Sequence, residues 1–223
     1  MRLYSGTSQQ FVKDTIQNQI ADKLKAAFFE YFRYNPSQGE INSWRNSLRA
    51  MSQVIEYAGL QDNGVLLEYQ LPQSSKRLDC MLTGQGENSA NNAIIVELKQ
   101  WDKCEPSNGE REVVTWVGGR LRDVLHPSAQ VGQYRAYLQD THTAFYEESS
   151  PIALNACAYL HNYQHDPGDE LFAEKFQPLL VSDPVFTGDK LDELSGFLLE
   201  NLSGGRGLPI LKRVEESDYR PSR

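Results

Sequence analysis

The chain has 223 residues, with 22 Lys and Arg against 30 Asp and Glu, a formal net charge of −8. Apolar residues make up 39% and charged residues 23%, an ordinary globular balance, and a chain of this length buries roughly 70% of its unfolded surface, enough for a core without staples. No apolar run reaches the ~18 residues that span a bilayer, the N-terminus leads into polar sequence instead of a signal core, and the acidic balance argues against a protein that coats nucleic acid indiscriminately. Cys80, Cys104 and Cys157 form no CxxC pair and no disulfide framework, which points to a reducing, cytoplasmic location.

In chain order, Gln10 to Tyr34 reads as one helix, with apolar residues three to four apart from Phe11 to Tyr31. Asn35-Pro36-Ser37-Gln38-Gly39 ends it. A second helix runs from about Gly39 to Ala58 on the stripe Ile41, Trp44, Leu48, Met51, Ile55, with Gly59 as its stop. Glu40 lies one turn before Trp44, near the edge of that buried face.

The period then changes. Val65–Pro72 and Arg77–Leu82 read as strands, Thr83–Asn92 as a loop, and Ala93–Lys99 as a strand whose continuous apolar start suggests burial on both faces. Glu112–Trp116 and Arg120–Leu125 flank Gly118-Gly119 as a hairpin. His126-Pro127-Ser128 opens a helix carrying Gln130, Val131, Tyr134 and Leu138. Ile152–Tyr159 is a further strand, Leu179–Ser182 a weak one, and Leu191–Leu202 a last amphipathic helix before Gly204-Gly205. His161 and His165 have the spacing of a helical zinc pair, but the stretch runs into Pro167-Gly168, which argues against a helix there.

Two features carry chemistry. Asp79 stands in an otherwise apolar strand, and Glu97-Leu98-Lys99 ends the next one. Alternation sends Glu97 and Lys99 to one face. If the two strands pair, two carboxylates and an ammonium converge. Burying such charges unpaired costs several kcal/mol. A hard divalent cation removes the conflict, since Mg²⁺ prefers oxygen ligands. Lys99 could then hold a metal-bound water or stabilise charge developing on a phosphate. The expectation is metal-assisted hydrolysis of a phosphodiester.

At these residues the sequence resembles the PD-(D/E)XK nuclease superfamily, whose signature is an acidic residue followed, after a hairpin-sized gap, by Glu-x-Lys. Leu78 stands where the superfamily often has proline before the aspartate. Glu40 matches in position the Glu on the helix before the sheet, and Gln130-Val131-Gly132-Gln133-Tyr134 resembles the Gln-x-x-x-Tyr of RecB-type members. The phrases Lys76-Arg77-Leu78-Asp79, Glu97-Leu98-Lys99-Gln100-Trp101 and His126-Pro127-Ser128-Ala129-Gln130 are also similar to the nuclease domain preceding a helicase in some large bacterial proteins.

The resemblance implies an α/β fold, a central mixed sheet flanked by helices, restriction-endonuclease-like. It implies an N-terminal helical segment (1–38), a nuclease-like domain (39–203) and a C-terminal tail or linker (204–223). Asp79, Glu97 and the backbone carbonyl of Leu98 would hold Mg²⁺ or Mn²⁺, with Glu40 in support. Lys99 would position the attacking water, with Gln130 and Tyr134 orienting Lys99 and a phosphate. Arg77, Arg120, Arg122 and Arg135 are candidates for backbone phosphate contacts. DNA is favoured as substrate over RNA, with a helicase domain as partner, no membrane association, and a role in DNA repair or defence against foreign DNA. The alternative is an inactive nucleic-acid-binding or partner-docking module of the same fold. Glu68 is a rival for the role of Glu40, but it follows Leu67 in a strand and is read as facing solvent.

Overall fold

The structure is a computed structural model, described for residues 1–147 and 149–222. The elements are β1 (Tyr4–Thr7), α1 (Ser8–Ile16), α2 (Ile20–Phe32), α3 (Gln38–Ala58), β2 (Gly64–Gln70), β3 (Arg77–Gln85), β4 (Asn91–Lys99), β5 (Glu105–Pro106), β6 (Glu112–Val117), β7 (Arg120–Leu125), α4 (Pro127–Thr141), α5 (Thr143–Tyr146), β8 (Ala153–Leu160), α6 (Gln177–Ser182), β9 (Val185–Thr187), α7 (Leu191–Leu202) and α8 (Gly207–Glu216). The main sheet has the order β1-β2-β3-β4-β8-β9. Its first three pairings are antiparallel and its last two parallel, so this is an α/β fold on a mixed sheet. The β4-α4-β8 crossover supplies the parallel pair, as such a connection requires a helix-length excursion. No helix among the described residues is long and apolar enough to cross a membrane.

Each face of the sheet is covered. One core holds Phe11, Leu24 and Phe28, the α3 stripe from Ile41 to Ile55, and Leu194, Leu198 and Leu202 against Val65, Leu67, Cys80, Ile94 and Val96. The other holds Val131, Tyr134, Leu138, Ile210, Leu211 and Val214 against Leu66, Met81, Ala93 and Ile95. Residues on both faces of β4 are fully buried, which accounts for its unbroken apolar run.

Four expectations are corrected. Gln10 to Tyr34 is not one helix but two, broken at Gln17–Gln19. Asn18 adopts the left-handed conformation there, at φ 57°. Buried Asp14 ties the corner: Tyr4 Oη donates to it at 2.8 Å, Gln10 Nε2 at 2.9 Å and Lys23 Nζ at 2.9 Å. The segment 1–38 is also no separate appendage, because β1 pairs with β2 and α1 and α2 pack in the core of α3. Nor is 204–223 simply a tail. It contains α8, which buries Ile210, Leu211 and Val214, and Tyr219 is held by the Tyr69 hydroxyl. Leu179–Ser182 lies in helix α6, its Pro178 sitting in the first turn, and the strand is the following β9.

Candidate active site

The β3–β4 ladder ends at Cys80↔Val96, and the next residue pair outward is Asp79 and Glu97. The β2–β3 ladder pairs Leu67 with Cys80 and Tyr69 with Leu78 but is interrupted between them, at Glu68 and Asp79. Glu68, Asp79 and Glu97 therefore occupy one rung across three strands. Beyond it the strands turn over. Leu67 and Cys80 belong to the core under α3, whereas Tyr69 and Leu78, which alternation would place beside them, belong to the core under α4 and α8. Glu68 makes this possible with φ 51°, a conformation that non-glycine residues adopt rarely and at a cost, most often at functional sites.

The turnover brings Glu68 and Arg77 to the α2–α3 side. Glu68 Oε1 accepts from Trp44 Nε1 at 3.2 Å. Arg77 Nη2 lies 2.5 Å from Glu40 Oε1, and Nη1 lies 3.4 Å from Glu68 Oε2. The guanidinium also stands 5.7 Å from the Phe28 ring centroid. Ser37 caps α3 and accepts from the Glu40 N–H, which fixes Glu40 in the first turn.

Asp79 Oδ2 accepts from the Leu98 N–H at 2.8 Å. With Ser43, Trp44, Ser47, Leu48, Glu68 and Leu98, but without Glu97 or Lys99, it lines a pocket of about 40 Å³, room for a few waters but not for a nucleotide. Glu97 and Lys99 share a face, as alternation requires, with Nζ 3.5 Å from Oε1. Lys99 also stands 5.3 Å from the Trp101 ring centroid. The other Glu97 oxygen, Oε2, is buried and has no hydrogen-bond partner.

Burial, followed by the Asp79 charge, holds the Glu97 carboxyl well above the ordinary carboxylate range, against the pull of Lys99. Burial also raises Asp79, opposed by the Lys99 charge and the Leu98 N–H. Glu68 is pushed up to about 8 by burial and by Asp79. All three shifts run toward proton retention, with burial as the leading cause. Tyr134 is buried behind it, and its hydroxyl accepts from Gln130 Nε2 at 3.2 Å. Burial and the nearby Glu97 charge lift that hydroxyl to about 12, so it stays protonated.

The structure thus brings Asp79, Glu97, Leu98, Lys99 and Tyr134 together, with Gln130 attached through Tyr134. Glu40 is held away from the Asp79 pocket by Arg77, and Glu68 occupies the place beside Asp79 instead. The signal for Glu68 was available: the short turn at Gln73–Lys76 sets Gln70 against Arg77, and counting inward from that pair sets Glu68 against Asp79. Among the phosphate-contact candidates, Arg77 is engaged by Glu40 and Glu68. Arg135 is closed in a two-point pair with Asp183 at 2.7 and 3.0 Å. Arg120 and Arg122 are exposed on β7. On the other side of the site, Asn46, Arg49, Gln53, Gln100, His161 and Asn162 line an open polar groove that contains no carboxylate. His161 stands 3.4 Å from Ser47 Oγ, away from His165.

Asp79 and Glu97 offer the hard oxygen donors that a divalent cation prefers. A buried carboxylate oxygen with no hydrogen-bond partner, next to a second buried carboxyl, is a condition that such an ion relieves. Among the described residues no three His, Cys, Asp or Glu side chains form a metal-holding group. Mg²⁺ commonly takes one or two carboxylates and completes its shell with water and substrate phosphate. Compared with protein-family models, with curated proteins and with solved structures, the chain finds no match in any of the three.

Proposed function

We propose that this chain is a metal-dependent nuclease that hydrolyses phosphodiester bonds of nucleic acid, with DNA as the favoured substrate. The observation that carries the proposal is the buried, unpartnered Glu97 Oε2 beside Asp79, with Lys99 Nζ 3.5 Å from the other oxygen, where β3 and β4 part. Asp79, Glu97 and the Leu98 carbonyl would hold Mg²⁺ or Mn²⁺, an ion that supplies a Lewis acid for the phosphate and an acidified water. Lys99, a cation on the same face, orients the attacking water and stabilises negative charge developing on the phosphate. Trp101 covers the Lys99 ammonium and restricts its motion. Tyr134 supports the rung from behind with a retained proton.

The order helix, three antiparallel strands, helix, parallel strand agrees with the core of the superfamily the sequence resembles. That resemblance also supports a helicase partner domain and a cytoplasmic role in DNA repair or defence. One observation favours a second reading, a nucleic-acid-binding module of the same fold without catalysis: Glu40 is tied to Arg77 and gives the metal position no support.

The test is cleavage of supercoiled and linear DNA, with an RNA control, in Mg²⁺, Mn²⁺ or EDTA. Metal-dependent cutting that falls by about 10²-fold or more in Lys99→Ala, the loss typical for removing one charge-stabilising group, supports the nuclease. Metal binding without cutting selects the second reading. Neither cutting nor metal binding overturns both.

A further inference from the structure

The end of α2 carries more aromatic surface than its core stripe needs. Ile20, Ala21, Leu24 and Phe28 meet the core. Phe29, Tyr31 and Tyr34 remain 46%, 58% and 59% exposed. The rings are arranged as a cluster, not scattered: Phe28 to Phe32 is 4.5 Å between centroids, Phe28 to Tyr34 5.4 Å and Phe32 to Tyr34 5.8 Å. Arg33, at φ 64°, ends the helix and sets the chain's path between Phe32 and Tyr34.

These rings form one wall of an open pocket of about 410 Å³, within the range of small-molecule sites. Phe28, Phe32, Tyr34 and Pro36 face Glu40, Gln70, Ser75 and Arg77 across it. Aromatic faces opposite a carboxylate, an amide and a guanidinium suit a flat ring with hydrogen-bonding edges. Two cations adjoin its lining residues in the chain. Exposed Arg33 lies between two lining aromatics and exposed Lys76 between two lining residues of the β2–β3 turn. Neither makes an ion pair among the described residues. Arg77 on its floor also reaches the candidate active site, through its pair with Glu68 on the rung of Asp79 and Glu97.

We propose that this pocket takes one unpaired nucleobase of the substrate, stacked on Tyr34 and Phe32, with the flanking phosphates at Arg33 and Lys76. The nucleic acid is then single-stranded where it passes from this pocket to Asp79 and Glu97. A paired base keeps its faces stacked in the duplex and cannot enter; an unpaired one offers both faces and edges. The inference rests on the nuclease reading for the identity of the polymer. It does not rest on that reading for binding.

The test is binding of a fluorescein-labelled 12-nucleotide oligodeoxynucleotide in EDTA, single-stranded and as a duplex, followed by anisotropy. An abasic position is moved along the single strand. Wild type, Tyr34→Leu and Tyr34→Phe are compared, all checked for an unchanged thermal transition, which the exposure of Tyr34 permits. The single strand should bind more tightly than the duplex. Tyr34→Leu should weaken it about 5- to 150-fold, the range for losing one base–aromatic stack, and Tyr34→Phe should not. One abasic position should weaken wild type and leave Tyr34→Leu unaffected.

Equal binding of both forms with no effect of Tyr34→Leu overturns the pocket; if metal-dependent cutting persists alongside, the nuclease reading survives alone. The coupled loss without cutting in Mg²⁺ or Mn²⁺ supports the pocket and removes the nuclease. No binding of either form, or a concentration-dependent dimer abolished by Tyr34→Leu, overturns the nucleobase assignment.

Discussion

Glu68, Asp79 and Glu97 face one another across a rung from which water is largely removed, and their protons govern how the free protein responds to pH. An unfolded glutamate titrates near 4.5, whereas folded Glu68 titrates at about 8. Between those values the folded chain holds a proton that the unfolded chain has lost. The native state binds more protons, so stability falls as pH rises through that window. Each pKa unit corresponds to about 1.4 kcal/mol, so wild type should lose roughly 2–4 kcal/mol between pH 5 and 8.5, with Glu97 and Asp79 adding in the same direction. Glu68→Gln keeps an oxygen for Trp44 Nε1 and removes the titration. Urea unfolding across this range should give a flatter profile for Glu68→Gln, with the variant more stable at pH 8.5 and near wild type at pH 5. A slope identical to wild type would show that Glu68 does not titrate in the window.

At the scale of elements, α8 closes the face of the sheet opposite α3. Its first residue, Gly207, lies against the β2 start and β3. The Gly207 carbonyl accepts from Thr83 Oγ1 at 2.8 Å, and its N–H donates to the Asp62 carbonyl at 2.9 Å. A methyl group there would overlap the Gly64 nitrogen and the Thr83 carbonyl, both backbone atoms that cannot swing aside. Gly207→Ala should therefore cost about 3 kcal/mol, the upper part of the usual overpacking range. Gly196→Ala, with open space around it on the exposed face of helix α7, should be neutral or slightly stabilising. Thermal unfolding of the pair distinguishes a seated helix from a loose tail, because a loose α8 would tolerate both.

The central strands, α3, α4, the β6–β7 hairpin and α7 were legible because each is long enough for its period to show. Asp79 and Glu97-Leu98-Lys99 were legible because charge inside an apolar strand is rarely incidental. β1, four residues long, and α8, written in a charged stretch, carry too little pattern; tertiary packing makes them. The register inward from the Gln73–Lys76 turn sets Glu68 against Asp79, but the face that Glu68 and Arg77 take was hidden. A two-residue period assumes that φ stays negative, and one left-handed glutamate reverses which residues face α3. The same reversal carries Arg77, read as a phosphate contact, into pairs with Glu40 and Glu68.

Over the whole molecule, protons and metal must compete for the same oxygens, which couples folding, pH and ligand. Burial raises both Glu97 and Asp79 toward proton retention, so a cation binding there competes with protons. Apparent affinity for Mg²⁺ or Mn²⁺ should therefore increase with pH from about 5 to 8. The calorimetric heat of binding should differ between buffers of different ionisation enthalpy, the difference reporting the protons released. Because the cation binds the folded chain, it should also raise the melting temperature. At a hundred times Kd the gain is about 2.7 kcal/mol, or roughly 5–10 °C for a chain of this size. EDTA should reverse it. Asp79→Asn should abolish the metal-dependent gain, while the metal-free variant melts at or above wild type because the repulsion with Glu97 is relieved. Buffer-independent heat together with an equal metal shift in Asp79→Asn would place the cation elsewhere and leave the buried rung as a proton-sharing brace between β3 and β4.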